Sequence, residues 1–124
     1  MPRQRRVLVV DDHPDTAEAT AQLLALHGHD ARAARSCAEA RAAVGGADPF
    51  VPDVVILDVR LQDGDGFALA EELCRVLPVR PGLIAHSGLP GLGARCRAAG
   101  FDHYVLKPGT PSELAELVAK YAPP

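Results

Sequence analysis

Two short apolar runs, Arg6-Val7-Leu8-Val9-Val10 and Val54-Val55-Ile56-Leu57, constrain the fold of this chain most. Both are rich in β-branched residues, neither alternates with polar positions, and each ends abruptly in aspartate. A strand with one face in water would alternate; a continuous run marks a strand covered on both faces, as in a parallel sheet between two helical layers. Gly82-Leu83-Ile84-Ala85-His86 supplies another strand, and two weaker ones fit near Asp30 to Ala34 and Tyr104 to Leu106.

The intervening stretches read as helices. Pro14 to His27, Cys37 to Val44, Phe67 to Val76 and Pro111 to Tyr121 mostly carry apolar residues three or four apart. Ser36 with Glu39 and Thr110 with Glu113 have capping-box spacing, Pro14 and Pro111 suit a first helical turn, and Gly28 is placed to end a helix. A fifth helix is expected between Pro90 and Ala99, weakened by Gly91 and Gly93. Five strands alternating with five helices through short connections predict a parallel sheet with helices on both faces.

The chain's 124 residues fit one domain. With no tryptophan and 4% aromatics, the core must come from Val, Leu, Ile and Ala. The 13 basic and 16 acidic residues are scattered, and the short Arg3 to Arg6 start reads as a solvated terminus. Nucleic-acid binding, which needs a concentrated basic face, is therefore not indicated. Cys37, Cys74 and Cys96 are too widely spaced for a Cys-x-x-Cys unit and odd in number, against a disulfide framework or thiolate metal site. No apolar run approaches the roughly 18 residues of a membrane span. A soluble protein of the reducing cytoplasm, without membrane contact, is expected.

In an open parallel sheet the ligand site lies beyond the carboxyl ends of the strands. By this reading the first strand delivers Asp11 and Asp12, the third Asp58, the fourth Ser87, and the fifth Lys107 followed by Pro108. Three converging carboxylates repel one another and need compensation, by protonation of one member or by a cation. A hard divalent ion answers this, and all-oxygen ligands, with no Cys or converging His expected, favour Mg²⁺ or Mn²⁺. The Lys107 ammonium and the Ser87 hydroxyl complete a receptor for the oxygens of a phosphoryl group in transfer. Only Lys107 and Lys120 occur against eleven Arg, and a compact ammonium suits a tight oxyanion pocket better than a guanidinium fork. Taken singly, each residue has a plainer reading: Asp12 as a helix N-cap, Ser87 as a turn residue, Lys107 as a surface lysine, Tyr104 as strand filler. The five histidines show no helical metal-ligand pair, although His13 could touch the rim of the pocket. The glycines from Gly88 to Gly93 lack a following Gly-Lys-Ser/Thr and read as a flexible loop.

Asp11-Asp12, Asp58 after Val54 to Leu57, Asp65-Gly66, Ser87, and the segment Gly100-Phe101-Asp102-His103-Tyr104-Val105-Leu106-Lys107-Pro108 stand in one order and spacing. Together they resemble the receiver domain of two-component response regulators over nearly the whole chain. The resemblance implies a flavodoxin-like, doubly wound (βα)5 sandwich with strand order 2-1-3-4-5, occupying residues 5–121 between short tails at 1–4 and 122–124. It implies that Asp58 is the nucleophile that takes a phosphoryl group from a phosphohistidine on a histidine kinase or phosphotransfer protein. Asp12, Asp58 and the main-chain carbonyl of Arg60 would ligate Mg²⁺ (or Mn²⁺), with Asp11 acting through water. Lys107 would pair with a phosphoryl oxygen, Ser87 would close on it, Tyr104 would be the switch aromatic, and Pro108 would follow a cis peptide bond. The implied output is a switched protein contact with a downstream partner, including a phosphorylation-dependent homodimer, with no catalysis beyond self-phosphorylation and slow self-dephosphorylation.

The chain departs from the family pattern at Gln62, where Pro is usual, and places bulky Arg60 and Leu89 beside the expected site. Ser87-Gly88 with Phe101-Asp102-His103 is most similar to stand-alone receivers or those working with hybrid kinases. Two other functions compete. A Mg²⁺ phosphohydrolase with an aspartyl intermediate usually presents Asp-x-Asp after the first strand and a substrate-covering cap, neither of which is found. A docking domain that has lost phosphorylation is disfavoured because all five key side-chain types are present.

Overall fold

The computed structural model describes residues 4–107 and 111–121. The chain runs β1 (Arg6–Val10), α1 (Pro14–Leu26), β2 (Asp30–Ala34), α2 (Cys37–Gly45), β3 (Val54–Leu57), β4 (Arg60–Leu61), β5 (Gly64–Asp65), α3 (Gly66–Val76), β6 (Gly82–Ser87), α4 (Gly93–Ala98), β7 (His103–Leu106) and α5 (Pro111–Lys120). Five strands form one parallel sheet in the order β2-β1-β3-β6-β7, which is the expected 2-1-3-4-5 order with β6 and β7 as its fourth and fifth members. The expected α/β doubly wound architecture is therefore the observed one.

The unalternating strands do cover two faces. Leu8, Val10, Val55, Leu57, Leu83 and Ala85 join one cluster with Leu69 and Leu73 of α3 and Cys96 of α4. Val7, Val9, Val54, Ile56 and Ile84 join the other with Leu24 of α1 and Leu114 and Val118 of α5. Successive strand residues point to opposite faces, so each apolar run feeds both cores at once. Each fully buried aliphatic side chain contributes about 1.5–3 kcal/mol relative to exposure, which makes the two central strands the most firmly held part of the fold.

Local signals account for most helix ends. The Ser36 Oγ accepts the Glu39 amide at 3.0 Å, as a capping box requires, but Glu39 reaches back to the Arg35 amide at 3.1 Å instead of to that of Ser36. Gly28 closes α1 at φ +89°, a left-handed conformation that favours glycine. Two elements differ from expectation. The helix expected from Pro90 begins only at Gly93, because Gly91 takes φ +81° and the N-cap, Leu92, offers no side-chain acceptor. The two-residue strands β4 and β5 pair antiparallel, Arg60 with Asp65 and Leu61 with Gly64, a hairpin too short to leave a period in the sequence. Thr110, half of the second capping box, and Pro108 with its expected cis bond lie outside the described residues.

Candidate functional site

Strand register assembles the site. The ladder continues one residue past three strands: the Asp11 amide donates to the Ala34 carbonyl at 3.0 Å, that of Asp58 to Val10 at 2.9 Å, and that of Lys107 to Ser87 at 2.8 Å. Asp11, Asp12, Asp58, Ser87 and Lys107 therefore meet at the carboxyl edge of the sheet, where the order reverses around β1 and β3.

The Lys107 Nζ lies 2.6 Å from Asp11 Oδ2 and 3.0 Å from Asp58 Oδ2. Both carboxylates are nearly inaccessible, with side chains 3% and 7% exposed. Burial by itself pulls the lysine pKa down; hydrogen bonds to Asp11 and Asp58, and then their charges, outweigh it and hold the ammonium above the ordinary lysine value. The remaining oxygens are turned elsewhere. Asp58 Oδ1 accepts the Arg60 amide at 2.9 Å, and Asp11 Oδ1 accepts that of His13 at 3.0 Å.

Asp12 Oδ1 is buried with no hydrogen-bond partner among the described residues. An orphaned carboxylate oxygen beside two further carboxylates is the donor set that a hard cation satisfies. Ligand atoms of Asp11, Asp12, His13 and Asp58 all lie within 4.8 Å of one another, so the cluster could hold a metal ion.

Asp12, His13 and Asp58 of the cluster line an open cleft of about 460 Å³ together with Ser87 and Lys107, with Arg60, Gln62 and Leu89 around it. Ser87 is 1% exposed, and its Oγ accepts the Leu89 amide at 3.3 Å. Half-buried Tyr104 donates its hydroxyl hydrogen to the Leu89 carbonyl. One loop thus carries both the Ser87 hydroxyl and the anchor for the Tyr104 ring. Below the cleft rim, Asp63 accepts the Cys37 and Ala38 amides at 2.9 and 3.2 Å, fastening the hairpin that follows Asp58 to the start of α2. The backbone bonds to Cys37 and Ala38 hold its carboxyl below the usual range. No short-range pattern announces this link, because its partners are some 25 residues apart.

Sequence reasoning also left His86 without a role. It is 6% exposed, and its Nε2 is buried without a partner among the described residues. Burial chiefly, and the Lys107 ammonium next, lower its pKa from 6.5, while Asp11 and Asp58 pull the other way. His86 therefore takes up its proton less readily in the fold than in the unfolded chain. Its share of stability is held above pH 6.5 and falls as the pH drops through the lowered value. His86→Leu is expected to raise stability by about 1 kcal/mol at pH 7, by removing an unpaired buried group, and to flatten the acid slope. Urea denaturation at pH 7.5 and 5.5 measures both; an unchanged slope would count against this account.

Comparison with known proteins places these features in context. The family model described as the response regulator receiver domain matches residues 7–119. Response regulator protein PilR of Pseudomonas aeruginosa is 35% identical over 118 residues, covering 94% of this chain and 26% of the relative. The DNA-binding response regulator MtrA of Mycolicibacterium smegmatis is 32% identical, covering 93% and 49% respectively. The chain thus spans between a quarter and a half of the length of these curated relatives. Among solved structures, a CheY-like response regulator receiver domain protein from Methanospirillum hungatei superposes with a TM-score of 0.80 at 26% identity, over 94% of this chain and 91% of the other.

Proposed function

This chain belongs to the response regulator receiver domain family, and from that premise we propose that Asp58 accepts a phosphoryl group from a phosphohistidine on a histidine kinase or phosphotransfer protein. The observation that carries the reading is the state of the Asp58 carboxylate. Its Oδ1 is fixed by the Arg60 amide, its Oδ2 is held by the Lys107 ammonium, and the residue lines an open cleft although its side chain is only 7% exposed. A carboxylate oxygen attacks phosphorus, the phosphorus–nitrogen bond of the donor breaks, and the imidazole leaves with its electron pair, forming an acyl phosphate.

Asp12, Asp58 and the Arg60 carbonyl would hold Mg²⁺ or Mn²⁺, with Asp11 acting through water; the ion supplies charge neutralisation for the transferring oxygens. Lys107 exchanges Asp58 Oδ2 for a phosphoryl oxygen. Ser87 closes on the same group, and because the Leu89 amide and carbonyl bind the Ser87 Oγ and the Tyr104 hydroxyl, movement of this loop changes the Tyr104 environment. The output is an altered protein-binding surface, for a downstream partner or a second copy of the chain, in the cytoplasm. Turnover is limited to self-phosphorylation and slow self-dephosphorylation. The expectation of no nucleic-acid contact attaches to these 124 residues alone, since a relative named as DNA-binding is about twice the matched length.

Acetyl phosphate with Mg²⁺ is expected to add one acid-stable, base-labile phosphoryl group, detected by intact mass. The Asp58→Asn variant is expected to remain unmodified. Equal labelling of that variant would overturn the assignment, and multiple turnover on phosphate esters would favour a hydrolase.

A further inference from the structure

His13 occupies a position that no part of the phosphoryl chemistry above requires. It is the N-cap residue of α1, yet its side chain makes no capping bond. Instead its ring Nδ1 lies 3.2 Å from Asp11 Oδ1 and 3.3 Å from Asp12 Oδ1. Two local constraints hold it there. Pro14 confines the preceding residue to extended backbone, matching the φ −89°, ψ 105° of His13, and the His13 amide is tied to Asp11 Oδ1 at 3.0 Å. The imidazole is thus carried on a short, restrained stem over the acidic pair.

The oxygens of the cluster are divided between two sides. Lys107 takes Asp11 Oδ2 and Asp58 Oδ2, while Asp11 Oδ1 and the orphaned Asp12 Oδ1 face the imidazole. An octahedral ion with ligands at about 2.1 Å has neighbouring ligand atoms about 3 Å apart, close to the 3.3 Å between Nδ1 and Asp12 Oδ1. His13 is 72% exposed on its side chain, so an ion reaches this position from solvent without displacing packed groups.

We propose, resting on the reading of this cluster as a divalent-cation site, that His13 Nδ1 is a direct ligand that shifts the site's preference toward imidazole-binding first-row metals. Mg²⁺ is a hard ion that favours oxygen and retains its waters; Ni²⁺, Co²⁺ and Zn²⁺ accept imidazole nitrogen readily. The consequence is a site that takes up these metals more tightly than its three carboxylates alone would allow.

The test uses the metal-free chain titrated with Mg²⁺ and, separately, with Ni²⁺, comparing wild type with His13→Ala. Binding is followed by amide chemical shifts around Asp12 and Asp58, and by paramagnetic broadening of the His13 ring protons. The expected result is a loss of about tenfold or more in Ni²⁺ affinity for His13→Ala, with Mg²⁺ affinity changed by about twofold or less. Broadening in wild type should centre on His13 and the acidic cluster, away from exposed His27 and His103. Mg²⁺ binding with an unchanged ratio of Ni²⁺ to Mg²⁺ affinity in the variant would overturn the role of His13 alone. Failure of wild type to bind Mg²⁺ at Asp12 and Asp58 would overturn the underlying site reading as well.

Discussion

Replacing Lys107 with methionine is expected to lower stability by about 3 kcal/mol at neutral pH in the absence of divalent cations. The ammonium is shared by Asp11 Oδ2 and Asp58 Oδ2, both nearly sealed from solvent, so its removal strands two neighbouring carboxylates without a counter-charge. Methionine fills most of the stem volume, and the loss therefore reports charge more than packing. Chelated wild type and variant are compared by urea denaturation, and saturating Mg²⁺ is expected to stabilise the variant by mass action. A variant as stable as wild type in chelator would contradict the central place given to this ion pair. The pH dependence has a definite sign. Because the lysine pKa is raised in the fold, its stabilisation is fully present through the neutral range and is lost only as alkaline pH passes above the ordinary lysine value.

Gly66→Ala is expected to be at least as damaging, by a steric route. A Cβ at Gly66 would stand 2.5 Å from both the Asp58 carbonyl oxygen and the Val59 Cα, and 2.9 Å from the Val59 carbonyl carbon. These are backbone atoms of the segment leaving β3, and the Gly66 amide donates to the Val59 carbonyl at 3.0 Å, so neither side can yield alone. The first turn of α3 must retreat, opening the packing of Leu69 and Leu73 and moving the main chain at Asp58. A loss of about 3 kcal/mol or more follows from overpacking at this contact. Gly64→Ala is the control: its Cβ would meet the Cys37 Sγ at 3.0 Å, a side-chain atom that can turn aside, and a smaller loss is expected. Denaturation midpoints rank the two variants, and labelling by acetyl phosphate shows whether the displacement reaches Asp58. Equal, small losses would mean that α3 can shift freely against β3.

The sheet and the convergence of its acidic ends were legible because their causes are local or follow from topology. Continuous β-branched runs require cover on both faces, and the short connections carry parallel strands with their carboxyl ends on one edge. Asp11, Asp12, Asp58, Ser87 and Lys107 had to meet there once the strands were assigned. Their spacing did not distinguish a ligand from an N-cap at Asp12; the resemblance to receiver domains supplied the nucleophile. The boundary of α4 was misplaced by three residues because glycine and proline signals mark where a helix weakens, not which turn it survives to.

What the tertiary structure alone decided is how charge is distributed within that meeting place. The ammonium bridges Asp11 and Asp58 on one side, leaving Asp12 Oδ1, without a hydrogen-bond partner among the described residues, beside the His13 imidazole on the other. His86 is buried next to Ser87 with a ring nitrogen that has no partner among the described residues, and Asp63 ties the hairpin after Asp58 to α2. Each depends on the distance and direction between side chains carried by different elements, which the sequence orders along the chain but does not orient in space. The linear pattern determined which residues share the edge of the sheet; packing across the sheet decided which atom of each carboxylate is taken and which is left for a cation.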